Sequence, residues 1–185
     1  MIDALTFLRT RRSRPAKILT APYPDRDTLA ALINVAARTP DHGKLEPWRF
    51  SVLEKPALDR LARLARNMAT AADADPDKAA GQFERSGCAV VVIESPKDSA
   101  KIPAIEQTYS AGAVCLALLN AGLASGWGAN WLSGWASHDR GFVEQGLGLA
   151  GFERVAGIIH FGTGPGTMPD RPRPDTAALT TWVDA

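Results

Sequence analysis

Apolar residues spaced three and four apart mark out the helices. Leu29, Leu32, Ile33, Ala36 and Ala37 predict a helix over 27–38, with Asp25 as its cap. Leu58, Leu61, Leu64 and Ala65 predict another over about 57–71. The longest predicted helix covers 106–125. Ala111, Gly112, Ala113, Ala117 and Ala121 give it a narrow side, which other backbones or a flat ring can approach closely. Shorter helices are predicted at 3–10, where Asp3 caps and Leu5 and Leu8 form part of an apolar face, at 76–85 behind Pro76, and at 139–146.

Strands show a different pattern. Cys88-Ala89-Val90-Val91-Val92-Ile93 is a continuous apolar run between Gly87 and Ser95-Pro96, which predicts a central strand covered on both faces. Val155 to Phe161 predicts a second core strand, and shorter strands are expected at 49–53 and 129–132. A terminal strand is expected at 177–183. The segment 71–78 is small, acidic and without bulky apolar residues, and reads as a surface segment near the entrance to a site. The expected fold class is α+β: a single domain over 1–185 with a mixed central sheet flanked by helices.

Composition narrows the function classes. The chain has 185 residues, of which 45% are hydrophobic, enough for one sizeable core. Its formal net charge of +1 gives no bulk electrostatic case for nucleic acid or a membrane surface. No apolar run has the length needed to span a bilayer, and the opening residues do not form a signal peptide. Cys88 and Cys115 are isolated in apolar runs and read as buried free thiols, which suits a reducing, cytoplasmic compartment. His42, His138 and His160 lack metal-ligand spacing, so no metal is expected. No Ser-His-Asp or Cys-His signature is present, and no catalytic side chain is assigned.

Candidate chemistry gathers at four places. Arg9, Arg11, Arg12 and Arg14 surround Ser13, and read equally as a solvated basic turn or as an anion site of guanidinium forks and a hydroxyl. The stretch 36–50 holds Arg38, Pro40-Asp41-His42 and Pro47-Trp48 between a helix and a strand, as an ordered loop does. Trp131-Leu132-Ser133-Gly134 ends a short strand in a sharp turn, where glycine lets a ligand approach the backbone. Arg171-Pro172-Arg173-Pro174 is a second basic patch, either a plain basic tail or a further anion contact. The glycine-rich run at 162–166 is neither a dinucleotide fingerprint nor a P-loop, since its spacing is wrong and it lacks the lysine.

Arg11-Arg12-Ser13, Pro40-Asp41-His42, Pro47-Trp48-Arg49-Phe50, Ser110-Ala111-Gly112, Trp131 with Ser133-Gly134, and Phe161-Gly162-Thr163 keep order and spacing over nearly the whole chain. In this the sequence resembles the FMN-dependent nitroreductase superfamily, and within it the small single-domain NAD(P)H nitroreductases of the YdjA type. The resemblance implies an intertwined homodimer with FMN at the interface and NAD(P)H as co-substrate. Reduction of a nitroaromatic, quinone or similar small electron-poor acceptor would proceed by ping-pong hydride transfer. It assigns Arg11, Arg12, Ser13, Arg171 and Arg173 to the phosphate and ribityl chain, and Trp131, Leu132, Ser133 and Gly134 to the isoalloxazine ring. It places Arg38 at the flavin edge and has His42 reach the flavin from the partner subunit. The strip 123–128 is where relatives contact the nicotinamide nucleotide, and the C-terminal segment crosses to the other subunit. Three alternatives stay open: the same fold with other flavin chemistry, a protein that stores or delivers FMN, and a domain without flavin. The shortness of the chain implies a more open site than in the larger nitroreductases.

Overall fold

The structure, a computed structural model, describes residues 3–164, 166 and 168–184. Four strands form one sheet: β1 (Trp48–Glu54), β2 (Cys88–Glu94), β3 (Gly128–Leu132) and β4 (Arg154–Gly162), in the order β1-β2-β4-β3. All three pairings are antiparallel, where a mixed sheet was expected from sequence. The difference is one of connection. Hydrophobic runs identify strands but carry no direction, and here successive chain reversals leave neighbouring strands opposed. β2 is interior, as its unbroken apolar run requires, and all seven of its residues are buried.

Seven helices accompany this sheet among the described residues: α1 (Ala4–Thr10), α2 (Arg26–Ala36), α3 (Lys55–Ala71), α4 (Pro76–Glu84), α5 (Ala104–Ala124), α6 (Trp135–His138) and α7 (Arg140–Leu147). The predicted caps are made: Asp3 accepts from the backbone N–H groups of Leu5 and Thr6, and Asp25 from that of Thr28. Residues alternate across each strand, so the core divides into two layers. Val91, Ile93 and Ile158 face α3, α4 and α7 through Leu58, Leu61, Phe83 and Phe142. Val90, Val92, Ile159 and Phe161 face α2 and α5 through Leu29, Val114 and Leu118.

Two expectations fail at the edges. Leu5 and Leu8 of α1 are 63% and 56% exposed, so the face they form is not buried in this chain. Residues 177–183 form no strand: the Leu179 and Thr180 N–H groups donate to the Thr176 and Ala177 carbonyls in a turn. A strand needs a neighbour to accept its hydrogen bonds, and no edge of this chain's sheet receives that segment. Among the described residues, no helix is long and apolar enough to cross a membrane.

Candidate functional site

The segment after α1 is the frame of the site. The Arg11 N–H donates to Phe7 O and closes α1. The chain then runs extended beside β3: the Arg14 N–H donates to Ala129 O at 2.8 Å, and Asn130 Nδ2 donates to Arg14 O at 2.8 Å. A short 3₁₀ turn, Ala16–Ile18, follows. Thr20 and Thr163 then exchange backbone hydrogen bonds, fixing the segment to the end of β4. Four of these bonds hold the basic segment against the sheet.

Arg11, Arg12 and Arg14 line a cleft of about 360 Å³, with Trp127, Gly128 and Gly164 across from them. Arg11 Nη2 donates to Ser13 Oγ at 3.1 Å. The Nε atoms of Arg11 and Arg12 are buried and have no hydrogen-bond partner among the described residues. A buried donor left unmade costs about 1–3 kcal/mol, so this arrangement favours an acceptor arriving from outside. Burial lowers the Arg11 pKa, and the charges of Arg12 and Arg173 lower it further. Arg173 comes in from the tail, donating to Arg9 O at 3.4 Å and to Asp170 Oδ1 at 2.7 Å. The Asp170 carboxyl is held low, first by the N–H of Arg171 and then by the Arg173 and Arg12 charges. Arg171 itself is exposed and, among the described residues, joins the cluster only through that backbone N–H. Crowded guanidinium groups, a hydroxyl and two buried unmade donors form a donor set that fits a phosphate group.

A second cavity, of about 540 Å³, lies beyond Asn130. Asn130, Leu132, Ser133 and Gly134 line one wall, and Ala79 and Gln82 of α4 line another. Asn130 and Leu132 share a sheet face because they are two apart on β3. Gly134 has φ of +146°, a conformation L side chains rarely adopt, which permits the turn between β3 and α6. Trp131 points to the other face, where its indole lies over Gly157. A Cβ on Gly157 would collide with Trp131 Nε1, Cδ1 and Cε2. Of the four residues expected at one ring site, three therefore line the cavity and the Trp131 side chain does not.

Arg38 and His42 lie away from both cavities. The loop that carries them takes positive φ at Gly43, Lys44 and Glu46, and cross-links hold it in place. Ser110 Oγ of α5 donates to Pro40 O at 2.9 Å and accepts from Trp48 Nε1 at 3.1 Å. The Glu46 N–H donates to Asp41 Oδ2. His42 Nδ1 donates to Glu106 Oε2 at 2.6 Å, and the ring is otherwise open to solvent, with its side chain 62% exposed. Arg38 follows the last turn of α2 and is exposed.

The sequence reading missed Asn130, which both fastens Arg14 and lines the cavity; its alternation with Leu132 on one strand was the available clue. It also missed Lys17, Lys78 and Arg85, which line the same cavity. The strip at 123–128 borders the arginine cleft, not the larger cavity.

The model of the family described as "Nitroreductase family" matches residues 8–163. This chain belongs to the nitroreductase family. It is 32% identical over 165 residues to the Escherichia coli K12 protein named "Putative NAD(P)H nitroreductase YdjA", covering 88% of each chain. It is 34% identical over 168 residues to a Haemophilus influenzae protein named "Putative NAD(P)H nitroreductase", covering 88% of this chain and 89% of that one. The crystal structure of a nitroreductase-like family protein from Bacillus cereus superposes with a TM-score of 0.83 at 20% identity, over 100% of this chain and 98% of that one. A Bacteroides fragilis nitroreductase with bound FMN gives 0.73 at 17% identity, over the whole of both chains. At those identities the structures establish the nitroreductase fold, and the family places this chain among oxidoreductases.

Proposed function

We propose that this nitroreductase-family chain is an FMN-dependent oxidoreductase. It takes reducing equivalents from NAD(P)H and passes them to a small electron-poor acceptor such as a nitroaromatic or a quinone. The observation that carries the reading is the pair of buried, unpartnered Nε atoms on Arg11 and Arg12, beside Ser13 and within reach of the Arg173 charge. FMN, when bound, supplies hydride chemistry that no side chain here can. Arg11, Arg12, Ser13 and Arg173 would hold its phosphate and the start of its ribityl chain. The wall from Leu132 to Gly134 would bound its ring, and α4 would shield the opposite side of that cavity from water. Cys88 and Cys115 are excluded as nucleophiles by burial, which pushes their thiols up to about 11 and 12. Two free, buried thiols also fit a cytoplasmic setting. Reductant and acceptor would use the larger cavity in turn, a ping-pong scheme whose kinetic sign is parallel double-reciprocal lines.

A homodimer is part of this reading. Arg38 and His42 line neither cavity of their own chain. Ile105, Tyr109 and Leu116 form an exposed apolar stripe on α5, and Leu179, Trp182 and Val183 are exposed on the tail. A partner would cover these surfaces, receive the tail, and accept His42 with its Nδ1–H already fixed by Glu106.

The test is titration of FMN against wild type, Arg11→Ala and Arg12→Ala, followed by quenching of flavin fluorescence, with riboflavin as the phosphate-free control. Loss of one charge-assisted contact is worth about 1.5–3 kcal/mol, so each variant is expected to bind FMN roughly ten- to a hundredfold more weakly. Riboflavin affinity should change far less. Equal loss for both flavins, or no loss for either, contradicts the phosphate assignment.

A further inference from the structure

The larger cavity is apolar inside and positively charged around its mouth. Leu132 and Trp135 supply apolar wall, while Lys17 of the 3₁₀ turn, Lys78 of α4 and Arg85 at the end of α4 line the same space. Asp75 is the one carboxylate among the lining residues. It is already engaged, since Oδ1 accepts from the backbone N–H groups of Asp77 and Lys78, both at 3.0 Å, and so caps α4. None of the three cations makes an ion pair among the described residues. Other basic groups nearby do pair: Arg66 of α3 bonds both Asp77 and Glu84, which engages the two remaining carboxylates of α4. Arg85 folds back along α4, its Nε donating to Gly81 O at 3.1 Å, and a side chain on Gly81 would collide with its guanidinium. That bond occupies Nε and leaves the terminal nitrogens as donors.

A cavity with an apolar interior and three unpaired cations at its rim suits a ligand with a flat conjugated body and an anionic end. We propose that the mouth formed by Lys17, Lys78 and Arg85 is an anion-reading subsite. The small molecule that enters this cavity would carry a carboxylate, sulfonate or phosphate, seated against these three side chains. The proposal rests on the flavin-reductase reading above for which cavity receives substrate, and it specifies the substrate class. The anion has two sources within that reading, an acidic acceptor or the phosphates of the nicotinamide nucleotide, and they separate experimentally.

The acceptor arm compares kcat/KM for 4-nitrobenzoate and for the neutral 4-nitrobenzyl alcohol, in wild type, Lys78→Glu and the Lys17→Ala/Lys78→Ala double variant. The nucleotide arm compares KM for NADH and NADPH in the same proteins. Calorimetric binding of 4-nitrobenzoate and 4-nitrobenzyl alcohol to each protein is measured alongside, with and without added FMN. Partly exposed charge pairs are worth about 0.2–1 kcal/mol each. The benzoate-to-alcohol preference, or the nucleotide affinity, should therefore fall about three- to tenfold in the variants, and less at high salt. A fall in the acceptor ratio assigns the anion to the acceptor, and a rise in nucleotide KM assigns it to the nucleotide. Unchanged values in both arms, in protein that retains and reduces FMN, overturn the proposal. Protein that retains no FMN overturns the flavin reading instead. The calorimetric preference for the carboxylate, present in wild type and reduced in Lys78→Glu or absent throughout, then decides the subsite on its own.

Discussion

At the scale of single residues, His160 shows how a buried polar group can register in stability. Its Nδ1 lies 2.9 Å from Ser86 Oγ, and that hydroxyl donates onward to Cys88 O. The serine must therefore accept the Nδ1 proton, which leaves Nε2 as a buried acceptor without a partner. Burial drives the imidazole pKa down to about 4. The folded protein keeps this ring neutral, while the unfolded chain protonates it below about 6.5. The unfolded state thus binds the extra proton, and stability falls as pH drops from about 6.5 toward 4. Urea unfolding at pH 7 and pH 4.5 should show the loss in wild type, on the order of 2–3 kcal/mol from this group. His160→Gln should show a smaller loss over the same interval. An equal loss in the variant would mean that other groups set the acid limit. Glu153 titrates lower still, at about 2, because Arg49 holds its carboxylate, so its contribution is lost only in stronger acid.

At the scale of elements, α5 carries the largest consequence. One side packs on the sheet through Val114, Leu118 and Ala121, and the other shows Ile105, Tyr109 and Leu116 to solvent. Tyr109→Glu should halve the sedimentation mass from twice the 19.7 kDa chain mass to once that value. FMN retention should fall with it if, as proposed, His42 reaches the flavin of the other subunit. A variant that stays dimeric would detach α5 from the interface, and a monomer that keeps its flavin would detach the flavin site from the partner. Elements of this kind were largely legible in the sequence. The α2, α3 and α5 periodicities, the caps Asp3 and Asp25, and the apolar runs of β2 and β4 each depend on contacts that recur every few residues, so local pattern suffices. Strand direction was not legible, nor was the fate of 177–183, because both depend on which distant segment offers a hydrogen-bonding edge. Within the site, the Arg11-Arg12-Ser13 cluster was visible as a concentration of charge. The turning of Trp131 onto Gly157 was not, since it follows from the face on which β3 meets β4. Lys17, Lys78 and Arg85 come from separate elements, and only folding brings them around one cavity.

At the scale of the whole molecule, the proposed function divides the work between two cavities. Under the proposed function the arginine cleft takes the anion, and the larger space between β3 and α4 has the room and the apolar walls of a small-molecule site. Asn130 and the segment from Arg11 to Thr20 join them, so a cofactor anchored in one would extend into the other. The claim that this frame holds FMN and passes electrons through it is tested most directly by one spectrum. Protein incubated with FMN and desalted is observed anaerobically before and after addition of NADPH, with NADH in a parallel sample. The account predicts retained flavin bands, close to one flavin per chain, that bleach when nucleotide is added. Desalted protein without flavin bands would contradict the cofactor assignment, and retained bands that neither nucleotide bleaches would contradict the reductase.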